Sequence, residues 1–184
     1  MSSIRLLAAA SAILLGVTGG LAAADVIVGG NAMVPDKNIV QNAVNSKDHT
    51  TLVSAVKAAG LDKTLQGDGP FTVFAPVNSA FEALPAGTVD TLLKPENKAT
   101  LTKVLTYHVV PGRLTSSNLD QLIRQGNGTA TLKTVSGGSL WLMKNGERNI
   151  TVKDETGAVA DITVYDVMQS NGVIHSIDRV LMPK

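Results

Sequence analysis

The sequence contains no cysteine. That absence excludes a disulfide scaffold, thiol catalysis, a cysteine zinc site and a lipid-modified N-terminal cysteine. Aromatic residues make up 3% of the chain, so Val, Leu, Ile and Ala must fill the core. A net excess of either charge is missing too. Sixteen basic residues face fifteen acidic ones, and setting aside Arg5 in the apolar leader leaves 15 of each. A nucleic-acid binder would carry a basic excess or stripe, and none is present. Histidine is scarce: His49, His108 and His175. None pairs with another at metal-ligand spacing and no His-Glu-x-x-His occurs, so neither a metal nor a cofactor is expected. Gly-x-Ser-x-Gly is absent, as are a Ser-x-x-Lys at a helix start with partner motifs and a phosphate-cradling glycine loop before a helix. No catalytic machinery is visible.

What is present begins with residues 1–24. Arg5 supplies a weak positive start, Leu6 to Val17 an apolar stretch, and Ala22-Ala23-Ala24 a small-residue cleavage site. This is the pattern of a signal peptide, with cleavage expected near Ala24–Asp25 and export to a periplasm, the cell surface or the exterior. Gly16, Gly19 and Gly20 interrupt the run, which makes it a poor membrane span. The C-terminus, Leu181-Met182-Pro183-Lys184, adds no apolar stretch, so no transmembrane anchor is expected after cleavage. Residues 25–37 read as a short, loosely ordered lead-in and 38–184 as one domain.

Within that domain, Gly69 to Pro85 is the organising stretch. Phe71 to Ala75 reads as a strand, rich in aromatic and β-branched residues and bounded by Pro70 and Pro76. Alternation puts Phe71, Val73 and Ala75 on one face and Thr72 and Phe74 on the other, so both faces should be covered. Asn78 is placed to cap a helix over 79–84. Upstream, residues 38–45 carry one amphipathic helix. Asp48 then caps a second, with a Leu52, Val53, Val56, Ala59 stripe and Gly60 as its stop. A connection over 61–69 follows. Thr88 to Leu93 reads as a helical turn, Pro95 onward as a longer helix, and 117–123 as another. From Thr129 the period becomes two. Strands are expected over 129–135, 139–144, 150–153, 158–164 and 173–180, separated by Gly137-Gly138, Asn145-Gly146, Thr156-Gly157 and Asn171-Gly172. Helices first and strands second make the class α+β in one domain.

His49, among polar residues at a helix start, reads as solvated. His108 and His175 are flanked by apolar strand residues, where a buried, hydrogen-bonded imidazole is the simpler account. Asp154, Glu155 and Asp161 surround a hairpin without the ligand pattern of a calcium loop.

Three segments then carry a resemblance. Residues 69–81, Gly-Pro-Phe-Thr-Val-Phe-Ala-Pro-Val-Asn-Ser-Ala-Phe, resemble the first signature of fasciclin-I domains. Tyr107-His108 stands at that family's central Tyr-His position, and residues 171–178, Asn-Gly-Val-Ile-His-Ser-Ile-Asp, resemble its second signature. The match runs from about Asn38 to Pro183 and is similar to the small, single-domain exported bacterial members. It implies helices packed on an antiparallel β-wedge or sandwich, and a secreted or surface adhesion module with no enzymatic activity. In animal relatives the Tyr-His region and an Asp-Ile-Met segment are linked to integrin binding. Here that implies partner-binding positions at Tyr107, His108, Asp166, Val167 and Met168, with Tyr165 where a proline often stands.

The leading expectation is thus a non-enzymatic module binding a surface or matrix protein, or a polysaccharide. The alternative is an extracytoplasmic small-ligand binder, which requires a concave apolar pocket with a few polar groups. A closed pocket lined by His108 or His175 would favour that alternative. Catalysis would need a histidine beside a carboxylate and a nucleophile on a cleft floor.

Overall fold

A computed structural model describes residues 26–184; the expected signal peptide lies outside them. The lead-in carries more order than its composition suggests. Strands β1 (Val26–Val28) and β2 (Asn31–Met33) form an antiparallel hairpin that buries Val28 and Met33. There follow α1 (Ile39–Asn45), α2 (Thr50–Ala59), the single turn α3 (Asp62–Leu65), β3 (Phe71–Pro76), α4 (Asn78–Glu82) and α5 (Thr88–Leu92). The second half holds α6 (Lys98–Tyr107), β4 (Val109–Pro111), α7 (Ser116–Gln125), β5 (Thr129–Lys133), β6 (Ser139–Asn145), β7 (Asn149–Lys153), β8 (Val159–Gln169) and β9 (Gly172–Ile177).

Local chemistry explains most boundaries. Asn38 and Gln41 form a reciprocal capping box at α1, and Thr115 and Asn118 form another at α7, each satisfying donors that a helix start leaves unpaired. Gly60 ends α2 in the left-handed region at φ 72°. Two expected caps are not used. Asp48 sits in a 3-10 turn whose own N–H is held by Ser46 Oγ. The cap of α2 comes instead from Asn78, whose Oδ1 accepts from Thr51 N–H at 3.1 Å and from Thr50 Oγ1 at 3.2 Å, while its Nδ2 donates to Lys47 O at 2.8 Å. Asn78 therefore begins α4 without a side-chain cap of its own and fastens the start of α2 from across the fold.

Seven strands form one sheet in the order β4-β3-β9-β8-β7-β6-β5. All neighbours are antiparallel except β3 and β9, which run parallel, so the sheet is mixed rather than purely antiparallel. No hairpin dictates the direction of that pair, because about a hundred residues of chain separate its members. Gly172 is required there: a Cβ would stand 2.2 Å from the Phe71 carbonyl oxygen. Pro76 lies within β3, opposite Ile177 at the end of the pairing, a position where a missing N–H does little harm. The two ends of the sheet approach each other, since Val135 N–H donates to Val109 O at 2.8 Å just beyond β5. The sheet is thus curled nearly into a barrel.

Alternation along β3 divides the interior. Val73 and Ala75 join one core with α1, α2, α6, Val167 and Ile174; Phe74 joins the other with Tyr107, Leu119, Ile123 and the inner residues of β5–β8. Both faces of β3 are covered, as the apolar bulk on each implied.

Candidate functional site

Tyr107 ends α6 with its whole side chain inside, 0% exposed. Its hydroxyl donates to Ser139 O at 2.7 Å and accepts from Glu155 N–H at 3.0 Å, and burial pushes its pKa up to about 12. His108 is 2% exposed. Its Nδ1 meets Val104 O at 2.8 Å and its Nε2 accepts from Leu181 N–H at 2.9 Å. That pair of partners requires the neutral Nδ1–H tautomer, and burial lowers the pKa to about 4. Both side chains tie elements together from within: Tyr107 pins β6 to the turn after β7, and His108 pins the C-terminal segment to α6.

The Asp166–Met168 segment sits where β8 slips register, between Val164 and Val167. Asp166 takes a left-handed backbone, φ 56°, which turns its carboxylate toward the start of α7. There it accepts from Ser116 N–H at 2.6 Å and from Ser116 Oγ. Val167 is 2% exposed and belongs to the core, while Met168 is half-buried. Of the five positions marked by the resemblance, Tyr107, His108 and Val167 are interior, and Asp166 and Met168 reach the surface in part.

Sequence reasoning misses one surface feature. An open groove of about 460 Å³ runs beside Tyr165, walled by Ser116, Ser117, Asp120 and Arg124 of α7 and by Lys144, Glu147 and Arg148 of the β6–β7 hairpin. Asp120 is bound by Arg124 and by Lys144 Nζ at 2.7 Å. The hydrogen bond from Lys144 first, and then the charge of Arg124, hold its carboxyl below the usual range. Tyr165 OH accepts from Ile150 N–H at 2.7 Å and so fixes the hairpin root, while Asp166 fixes the start of α7. These residues are far apart in sequence and share no period, so nothing in the chain announced the groove. The exposed large apolar side chains Ile27, Val44 and Val159 fall on three separate elements and Val135 on the turn after β5.

A second concavity is internal. Between α1, α2 and the sheet lies a cavity of about 50 Å³ lined by apolar side chains together with His49 and His108. His49 is buried, contrary to the solvated position expected of it. The 3-10 turn before α2 rotates its ring inward, where Nδ1 meets Ser46 Oγ at 2.8 Å and Nε2 meets Ser176 Oγ at 3.4 Å. Burial lowers its pKa. His175 is fully buried as well: Nε2 meets Leu114 O at 2.8 Å and Nδ1 accepts from Asp166 N–H at 3.3 Å. It stacks on Phe74 with ring centroids 5.9 Å apart, and burial lowers its pKa. The Asp166 carboxylate is turned to Ser116 rather than to this ring. Each imidazole is therefore a neutral internal connector. Among the described residues no group of three His, Asp or Glu side chains is gathered to hold a metal.

Comparison with known proteins agrees with this architecture. Residues 47–183 match the model of the fasciclin domain family. Protein sll1483 of Synechocystis is 46% identical over 147 residues, which span 79% of this chain and 73% of that protein. The cell surface glycolipoprotein MPB83 of Mycobacterium bovis is 36% identical over 146 residues, 77% of this chain and 58% of that protein. A domain pair from the insect cell adhesion molecule fasciclin I superposes with a TM-score of 0.70 over 86% of this chain and 57% of that one. At 18% identity, that likeness speaks for the fold.

Proposed function

The chain belongs to the fasciclin domain family, and on that premise we propose that it is an exported, non-enzymatic interaction module that binds a protein or polysaccharide partner at the cell surface. The observation that carries the reading is the open, charged groove beside α7, set against an interior in which every buried side-chain nitrogen and oxygen among the described residues has a partner. Tyr107, His108 and His175 spend their polar atoms on the protein's own backbone, so they hold shape and offer no reagent. The groove presents Lys144, Arg148, Glu147 and the Ser117 hydroxyl, the mixture of polar groups found at the rim of a protein interface. MPB83 carries "cell surface" in its name and fasciclin I is a cell adhesion molecule, which supports the same role here. Among the described residues no helix is long and apolar enough to cross a membrane.

On this reading Asp166 acts as a positioning residue that sets the α7 wall, half-buried Met168 lies outside the groove walls, and Tyr107, His108 and Val167 hold the fold from within. The test is retention of the purified protein on immobilised surface-protein and surface-polysaccharide fractions. Wild type should be held by one of them, and a Lys144→Glu, Arg148→Glu double variant should lose most of that binding while keeping its thermal midpoint. Equal retention of the two proteins would exclude the groove as the contact.

A further inference from the structure

We infer that the internal cavity receives the tip of a single unbranched alkyl chain whose carboxylate is met by Lys57, a ligand of the fatty-acid class. The walls decide the chemistry of the guest. Val28, Met33, Leu52, Val73, Val167 and Ile174 line the void, and no buried side-chain nitrogen or oxygen among the described residues lacks a partner. His108 is engaged at both ring nitrogens by Val104 and Leu181, and His49 by two serine hydroxyls. A guest would therefore find no hydrogen bond inside, and water needs roughly two to four of them to be held. The void is dry by its chemistry and suits hydrocarbon.

Size narrows the class further. The volume is about 50 Å³, whereas a cavity that takes benzene needs roughly 150 Å³. A ring is excluded, and the end of a linear chain is not. The mouth opens between α1 and α2, where Val40, Ala43 and Val53 are half-buried. The rest of a chain can lie along those residues. One helical turn beyond Val53, exposed Lys57 stands at the rim. Neither ion pair among the described residues involves it, so its ammonium is available to an anionic head group. This inference is independent of the groove, which lies on the other side of the sheet with α7.

The probes are decanoate and its uncharged counterpart decanol, titrated calorimetrically below their aggregation limits, with methyl NMR to locate them. One decanoate per chain is expected, with a raised thermal midpoint and shifts at the methyls of Val73, Val167 and Ile174. Lys57→Glu, at an exposed site that leaves the fold intact, should weaken decanoate about tenfold and leave decanol unchanged. Ala43→Trp should plug the mouth and abolish both. Because that change could unsettle α1, Val53→Phe on α2 serves as a second plug, and the helical circular dichroism of each is compared with wild type. Absence of saturable binding, or binding that spares those methyls, overturns the proposal. Equal decanoate affinity in Lys57→Glu overturns the assigned head group, and undiminished binding in both folded plug variants overturns the entry path.

Discussion

Phe74 shows how a single residue serves both the family signature and the physics of the core. Its ring is 0% exposed, stacks on His175 and stands on the face of β3 opposite Val73 and Ala75. Phe74→Ala should cost about 3–5 kcal/mol in denaturant unfolding, through lost transfer energy and an unfilled cavity. A loss under about 1 kcal/mol would mean that the site collapses around the gap. At this scale the sequence was partly readable. Apolar neighbours marked His108 and His175 as interior, although only His175 lies on a strand; His108 sits in the turn that ends α6. His49 lacked that signal. Its neighbours Asp48 and Thr50 are exposed, and only the sharp turn between them directs the ring inward. Asp166 was recognisable as a special position, but its link to Ser116 crosses fifty residues of sequence and depends on a backbone conformation that no side-chain pattern announces.

Helices and strands were located chiefly by period and punctuation, and these were dependable wherever a Gly-containing turn separated two alternating runs. The strands from Thr129 onward appear in the expected order, and the hairpins turn at the expected glycines. Local rules failed where a tertiary partner outbid a sequence neighbour. Asn78 has the composition and place of a local cap, yet its side chain serves α2. Asn78→Ala should therefore cost about 1 kcal/mol and loosen α2 rather than α4. Amide exchange would check this: faster exchange at Thr51 and Leu52 with Phe81 unchanged is expected, and the reverse pattern would restore the local cap. The parallel pairing of β3 with β9 was likewise invisible, because period-two alternation fixes which face a strand buries but not the direction of its neighbour.

The whole molecule carries its histidines as an acid-sensitive set. All three imidazoles have pKa values lowered by burial, that of His108 to about 4. The folded state thus binds fewer protons than the unfolded chain. Stability is fully present above the ordinary histidine value of about 6.5 and falls as pH drops toward the folded value. His108 alone should account for about 3 kcal/mol of that loss by pH 4. Urea unfolding at pH 7 and pH 4.5 measures it, and equal free energies at the two values would contradict the neutral, doubly bonded ring. The C-terminal segment shares in this, because Leu181 is held by His108, Met182 by the buried Asp154 and Lys184 by Glu155. β9 lies inside the sheet, between β3 and β8, and is the last of the described strands in chain order. Until residues 172–177 have been made, β3 lacks its parallel neighbour, and each core lacks a residue of β9, Ile174 on one side and Ile177 on the other.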